Sequence, residues 1–339
     1  MTRAAAVCFL RNAFDVSSLL RALAVCTAPV VLYGLTRDTD WLLATLMTTS
    51  LLIGIEQVGL APLGVLAQAA AIGTGFLLLS FAKSAPPAFV AGCAALAAVA
   101  VALSLAGTRL RSLGNFVFIP SLYLACETGD AHVGVWQLIP YLGAAALPPL
   151  ALSCAGIPLA RPAPQRVRAL MSWRLPRDLG PCASRSDATT AIAAVTLAVA
   201  SAAALVEWRA LAQGQWVIWS AASVVTGNAA MAGSKLRDRG LGAFIGVAIG
   251  LVLGLLLPHG TLVYALLALV STLTLVAFRQ YLPGFAARCA CIACASWLAH
   301  QSAIVATERV VNVLLGGLIG VAFVVATNWI AKYRVGENN

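Results

Sequence analysis

Long apolar stretches recur along almost the whole chain, and they limit its fold more than any other feature. Hydrophobic residues make up 61% of the 339 residues, whereas charged residues make up only 10%. A helix of about twenty apolar residues spans the hydrocarbon core of a bilayer and satisfies its own backbone hydrogen bonds there. The sequence has no period-two alternation of apolar residues, which excludes a membrane β-barrel. We therefore predict an all-α, polytopic membrane protein.

Charged residues, prolines and glycines divide the apolar sequence into twelve candidate transmembrane helices. These lie near residues 17–36, 40–56, 62–82, 87–107, 113–127, 134–157, 188–206, 213–231, 241–257, 261–278, 283–300 and 309–331. A polar segment with six arginines and four prolines separates the sixth helix from the seventh. We predict a first six-helix transmembrane repeat at 1–159, a cytoplasmic basic linker at 160–186 and a second six-helix transmembrane repeat at 187–339.

The two halves share features at corresponding positions. Trp41 and Trp216 each open the second helix of their half, and residues 112–116 and 279–285 precede each fifth helix. Each half has an even number of helices, and the linker joins the halves on one side of the membrane. Both halves therefore enter the membrane in the same direction, and we predict parallel rather than inverted repeats.

Basic residues indicate the orientation of the chain. With the N-terminus in the cytoplasm, most of them face the inner side, as the positive-inside rule requires. The exceptions are Arg37, Lys83, Arg209 and Arg309, with Arg21 inside the first helix. We predict that both termini are cytoplasmic and expect no cleaved signal peptide, since no small-residue cleavage site follows a short apolar core. Orientation explains the net charge of +10, so we expect no nucleic-acid partner.

A cluster of charged residues precedes the ninth helix. Lys235, Arg237, Asp238 and Arg239 lie within five consecutive positions. One interpretation is a cytoplasmic loop that anchors the chain, in which Asp238 either caps the following helix or pairs with its basic neighbours. The other is the cytoplasmic mouth of an anion pathway, because clustered cations beside a helix N-terminus attract anions.

Glycines recur every four residues in the ninth helix, at Gly242, Gly246, Gly250 and Gly254. This spacing places them on one face of the helix, where another helix can approach closely. The partner helix lies either in the same chain or in another copy, so the pattern leaves a homo-oligomer open.

Other polar and aromatic residues fall inside the predicted helices. Trp216 and Trp219 share one helical face, which suits either an interfacial aromatic belt or stacking against a planar aromatic acid. Arg288 either reaches the membrane surface or neutralises a carboxylate in the interior. Glu308 and Arg309 open the twelfth helix at its outer end, where a carboxylate suits the helix N-terminus. The titratable groups that we consider for proton coupling are Glu56, Glu207, Glu308 and His300.

The sequence lacks the motifs of common enzyme classes. It contains no Gly-Lys-Ser/Thr phosphate loop, no Gly-x-Ser-x-Gly elbow and no metal-ligand spacing of His and Glu. Cys289, Cys291 and Cys294 are grouped, but no His or acid is spaced to complete a tetrahedral site. We expect no enzymatic activity, no cofactor and no metal.

Two stretches of the second half resemble the fusaric acid resistance protein family. One is Gln-Trp-Val-Ile-Trp-Ser-Ala-Ala-Ser-Val-Val-Thr-Gly-Asn at 215–228, continued by the basic and glycine-rich residues 235–246, and the other is Glu-Arg-Val-Val-Asn-Val-Leu-Leu-Gly at 308–316. The family is similar to bacterial aromatic acid exporters and, more distantly, to plant aluminium-activated malate channels. The resemblance covers about residues 187–331. It is thin in the first half, where Glu-Gln-Val-Gly-Leu-Ala-Pro at residues 56–62 stands in place of the basic loop.

The resemblance implies export of small organic anions, above all aromatic carboxylic acids, by proton-coupled efflux through the lipid bilayer of a bacterial cytoplasmic (inner) membrane. The residues expected to hold the carboxylate or contact the ring are Trp216, Trp219, Lys235, Arg237, Arg239 and Arg288. Those expected to have coupling or structural roles are Asp238, Glu308, Arg309, Gly242, Gly246 and Gly250. Two alternatives stay open: a passive organic-anion channel, and a non-transporting membrane scaffold that recruits partners through the linker.

Overall fold

The computed structural model of the protein describes residues 14–128, 132–157, 162–225, 229–299 and 303–336. Within these ranges the chain forms thirteen α-helices and a 3₁₀ turn that extends α4, but no β-strand. The helices are α1 (Val16–Thr36), α2 (Asp40–Val58), α3 (Pro62–Ala82), α4 (Pro86–Ala102), α5 (Thr108–Glu127), α6 (His132–Ala155), α7 (Ala163–Leu170), α8 (Arg185–Arg209), α9 (Gln215–Val224), α10 (Ala229–Leu256), α11 (Thr261–Ala277), α12 (Tyr281–Leu298) and α13 (Ala303–Gly336). The all-α prediction is confirmed.

Nine of the described helices are long and apolar enough to cross a membrane, namely α1, α2, α3, α4 with its 3₁₀ turn, α6, α8, α10, α12 and α13. The chain is therefore a multi-pass membrane protein. Each predicted segment overlaps a helix, but the eighth, 213–231, runs past the end of α9 into the start of α10. The helix α9 has only 10 residues, and α11 has 17. The helix α5 has 20 residues but is less apolar than the others. Twelve membrane crossings thus stay a prediction.

The helix contacts of the first half recur in the second half. The pairs α3–α5, α2–α6 and α4–α5 correspond to α10–α12, α9–α13 and α11–α12. Across the two halves, α1 packs on α11 and α8 packs on α4, so the first helix of each half contacts the fourth helix of the other. This recurrence is what two related six-helix units would produce, and the division at residues 160–186 stays a prediction.

Local sequence explains where several helices begin. Asp15 caps α1 by accepting hydrogen bonds from the backbone N–H groups of Ser17 and Ser18, at 3.1 and 3.2 Å. The Ser18 N–H and the Ser17 hydroxyl hold the pKa of Asp15 below its usual value, because both stabilise the carboxylate. Pro62 and Pro86 open α3 and α4, where a helix does not need the missing backbone donor.

The glycine face of α10 packs against α12 in the same chain. A methyl group added at Gly242 would lie 3.0 Å from the Phe285 ring, and one at Gly250 would lie 2.8 Å from Ala293 Cβ. At Gly246 an added methyl group would collide with the backbone of α12. The close helix contact predicted from the spacing is therefore present, and it forms between two helices of one molecule.

The linker lies across the ends of helices in the first half. The Leu175 N–H donates to the Gly59 carbonyl at 2.8 Å, and the Ala61 N–H donates to the Trp173 carbonyl at 3.2 Å. The Arg177 guanidinium donates to the carbonyls of Ile55 and Glu56 at the C-terminal end of α2. A cation at this position also suits the negative end of the helix dipole. The linker thus packs as a strap, and its cytoplasmic location stays a prediction.

The prediction that Lys235, Arg237 and Arg239 lie in a loop is wrong. These residues and Asp238 lie inside α10, which begins at Ala229 rather than near residue 241. Asp238 therefore cannot cap this helix. A loop is not required, because these charged side chains do not all need to be solvated. Neighbouring helices surround Lys235 and Arg239, and of the three basic residues only Arg237 is largely exposed.

We predict that replacing Gly246 with valine lowers the stability of the protein by about 1–3 kcal/mol, because the side chain must force α10 away from α12. Gly73 of α3 is the matched control, since a methyl group there would meet no atom within 4 Å. Gly73→Ala should be neutral or stabilising by up to about 1 kcal/mol. Thermal unfolding of the purified protein in detergent measures both effects, and equal midpoints for the two variants would contradict the packing described.

Candidate functional site

A cavity of about 350 Å³ lies among α2, α5, α9, α11 and α12. This volume falls in the range of sites that bind small organic molecules. Leucines and isoleucine from these helices form much of its wall. Its aromatic, charged and polar lining residues are Thr45, Tyr123, Glu127, Gln213, Trp216, Trp219, Tyr264, Ser271, Thr272, Arg288, Cys291 and Ser296.

Three of the predicted substrate-binding residues converge on this cavity, namely Trp216, Trp219 and Arg288. The two indole rings stack, with centroids 4.9 Å apart and an interplanar angle of 26°. Arg288 Nε donates to Thr274 Oγ1 at 3.1 Å, which leaves the terminal nitrogens of the guanidinium for other partners. The cavity is therefore lined by indole rings and by a cation.

Arg239 lies behind the tryptophan pair and is only 2% exposed. Its guanidinium carbon is 4.7 Å from the centroid of the Phe285 ring and 5.9 Å from that of Trp219. Arg239 Nη1 donates to the Tyr281 hydroxyl at 2.8 Å, but its Nε and Nη2 form no hydrogen bond. Aromatic rings and one hydroxyl thus replace the hydration shell of this cation, and no carboxylate among the described residues pairs with it.

Arg309 occupies the opposite side of the tryptophan pair and is 3% exposed. Its guanidinium carbon lies 3.5 Å from the centroid of the Trp216 ring, a close cation–π contact. None of its three nitrogens forms a hydrogen bond of ordinary geometry, although the Cys289 thiol interacts with it weakly. Successive contacts join these side chains into one stack, which we call the cation–aromatic stack. Its order is Arg309, Trp216, Trp219, Arg239 and Phe285.

The cations of this region are close enough to repel one another. Arg288 is within electrostatic range of Arg239 and Arg309, and Lys235 is within range of Arg239 and Arg111. In the described part of the chain, the ion pairs are Arg21 with Glu56 and Arg237 with Asp238, and neither involves the stack. Among the described residues, the buried Arg239 and Arg309 therefore have no ion-pair partner.

Lys235 does not line the cavity but contacts the end of the short helix α9. Its Nζ donates to the Ser223 carbonyl at 3.1 Å, and the Arg111 guanidinium donates to the Val225 carbonyl. Helix C-termini carry partial negative charge on free carbonyls, so the two cations stabilise this end. The structure thus gives Lys235 a capping contact that the sequence did not predict.

The other predicted residues lie outside the cavity. Arg237 bonds its neighbour Asp238 on the surface of α10, at 3.2 Å. Glu308 is in the second turn of α13, which begins at Ala303, and not at the helix N-terminus. Glu56 pairs with Arg21 at 2.8 Å, and Glu207 does not line the cavity. Gly242, Gly246 and Gly250 hold the α10–α12 contact, and His300 lies outside the described residues.

Glu127 and the polar network around it were not predicted from the sequence. Gln215 Nε2 donates to Glu127 Oε1 at 2.9 Å and to Gln213 Oε1 at 3.1 Å, and Trp216 Nε1 donates to Gln213 Oε1 at 3.3 Å. The Tyr123 hydroxyl interacts with the same carboxylate, and its ring meets the Trp216 ring edge-on. The available signal was the spacing of four between Tyr123 and Glu127, which places both on one face of α5.

These features define a multi-pass α-helical membrane protein with a cavity that aromatic rings and an arginine line. Residues 197–323 match the family described as Fusaric acid resistance protein-like. The predicted resemblance is confirmed over this range, which includes the whole cation–aromatic stack and Arg288. No curated protein and no solved structure matches the chain.

We predict that Arg309→Met raises the stability of the purified protein by about 1–3 kcal/mol in a buffer that lacks organic anions. Removing a buried charge without a counterion relieves its desolvation cost, and methionine retains much of the packing volume. Thermal unfolding in detergent measures the change. A lower midpoint for Arg309→Met would show that the contact with Trp216 outweighs this desolvation cost.

Proposed function

We propose that the protein exports small organic anions, aromatic carboxylates in particular, across the cytoplasmic membrane of a bacterium, driven by the proton gradient. The observation that carries this proposal is that Trp216, Trp219 and Arg288 line one cavity. An aromatic ring can contact the edges of the indoles that line the cavity, while the guanidinium of Arg288 binds the carboxylate through charge-assisted hydrogen bonds.

The surrounding electrostatics favour an anionic substrate. Arg239 and Arg309 lack ion-pair partners among the described residues and raise the positive potential next to the cavity. A positive field in a low-dielectric wall concentrates anions and speeds their entry. Glu127 gives the same cavity a titratable carboxylate, which a proton-coupled mechanism requires.

The position of the cavity along the helices suits release on the outer side. Gln213, Tyr264 and Ala299 lie at helix ends that the predicted orientation places outside, whereas Arg288 and Leu275 lie deeper. Arg239 and Phe285, at one end of the cation–aromatic stack, follow, and Lys235 and Arg111 contact the predicted inner end of α9. In this proposal the stack closes the route inward and separates when the protein opens to the cytoplasm.

A passive anion channel is the second candidate function. It is favoured by the succession of cations from Arg288 through Arg239 to Lys235, which could conduct an anion without any proton step. A channel lets the anion equilibrate, whereas a proton-coupled exporter accumulates it against its gradient.

We predict that Arg288→Gln lowers the uptake of labelled benzoate into inverted vesicles at least about tenfold, because one charge-assisted hydrogen bond contributes about 1.5–3 kcal/mol. Arg209→Gln is the matched control, since Arg209 is exposed at the end of α8 and does not line the cavity. It should retain the wild-type rate. Equal loss in both variants would contradict a role for the cavity.

The energetics are tested in the same vesicles with an acidic lumen and the membrane potential clamped by potassium and valinomycin. A proton-coupled exporter accumulates benzoate in the acidic lumen, opposite to the direction in which protonated benzoic acid diffuses passively. Equilibration without accumulation would indicate the channel. No protein-dependent flux of any aromatic carboxylate would contradict both.

A further inference from the structure

The linker carries an exposed apolar surface beside its arginines. The side chains of Val167, Leu170, Met171 and Trp173 are 59%, 40%, 70% and 46% exposed. Arg166, Arg168 and Arg174 lie among them, and Arg174 places its guanidinium 5.4 Å from the centroid of the Trp173 ring. A surface that is both apolar and basic is typical of segments that lie in the interface of an anionic membrane.

The linker is fixed at the ends of the transmembrane helices. Backbone hydrogen bonds tie residues 173–175 to the turn between α2 and α3. Further bonds join Thr108 to Pro181, Arg109 to Leu179 and Ala183 to Ser104, at 3.1, 3.0 and 3.1 Å. Because these partners end membrane-spanning helices, the strap lies at the level where lipid headgroups meet the hydrocarbon.

We propose that residues 163–177 bind anionic phospholipid headgroups at the membrane surface. The arginines contact the phosphates, while Val167, Met171 and Trp173 insert between the upper ends of the acyl chains. Arginine suits this task because its guanidinium forms paired hydrogen bonds to phosphate oxygens. Tryptophan suits it because the ring is apolar and the indole N–H remains at the polar boundary.

Charge complementarity favours a lipid over a protein partner. Residues 163–177 contain four arginines and no acidic residue. An acidic protein would satisfy the charges, but it would not explain why apolar side chains are exposed on a segment held in the headgroup layer. This inference is independent of which solute crosses the membrane.

The test is the thermal unfolding of the full-length protein in a neutral detergent, titrated with phosphatidylglycerol or with phosphatidylcholine. Phosphatidylglycerol should raise the midpoint by several degrees, because it binds the folded protein, and phosphatidylcholine should raise it much less. The triple variant Arg166→Gln, Arg168→Gln, Arg174→Gln should lose most of the phosphatidylglycerol shift. Met171→Ser should lose part of it.

The double variant Arg37→Gln, Arg209→Gln is the matched control, because both residues are exposed at the opposite, predicted outer ends of helices. It should keep the full shift. In the wild-type protein the shift should also shrink when salt rises from about 50 to 500 mM, since salt screens headgroup charge. An equal shift with both lipids, a shift that salt does not change, or a triple variant that keeps the full shift would each overturn the proposal.

Discussion

The close contact between α10 and α12 determines the geometry of the second half. Gly242 and Gly246 allow the backbones of the two helices to approach each other. This approach brings Arg239 of α10 over the Phe285 ring and within reach of the Tyr281 hydroxyl of α12. Larger residues at the glycine positions would separate the helices and leave Arg239 without these contacts. The glycines therefore determine the position of the Arg239 guanidinium, although they contribute no side chain to its contacts.

The cation–aromatic stack is costly for the folded state. Burying a guanidinium removes its hydration, and cation–π contacts return only about 2 kcal/mol or somewhat more when the site is dry. Arg239 keeps two nitrogens and Arg309 three without hydrogen-bond partners. Arg21, by contrast, is partly exposed and pairs with Glu56. Buried charges without a counterion inside a membrane protein are typical of residues that are retained for function.

The fold class and part of the site could be predicted from sequence because both depend on local patterns. Apolar length predicts membrane helices, a glycine spacing of four predicts a close helix contact, and Trp216 and Trp219 at spacing three share a face. Arg288 lies at depth in an apolar helix, so its relation to the interior could also be anticipated.

The rest depended on contacts that sequence does not encode locally. The charges of Lys235–Arg239 favour a loop by composition, yet α10 starts earlier because surrounding helices bury Arg239 and supply partners for Lys235. Glu127 was not predicted because it ends a predicted helix, where an acidic residue is common. Its hydrogen-bond donor Gln215 also lies 88 residues further along the chain. Arg309 was assigned to a helix end, and only the folded chain shows that it covers Trp216.

The short helix α9 affects how mutations of the basic cluster should be read. Its C-terminal carbonyls are held by Lys235 and Arg111, which come from two different helices and from both halves of the chain. Removing Lys235 would therefore release the end of α9 and shift Trp216 and Trp219, which the same helix carries. A defect caused by such a change would look like lost affinity for an anion, although the lysine itself need never touch one. In a mutational survey of this protein, substitutions at the end of α9 and substitutions in the cavity would therefore give similar defects.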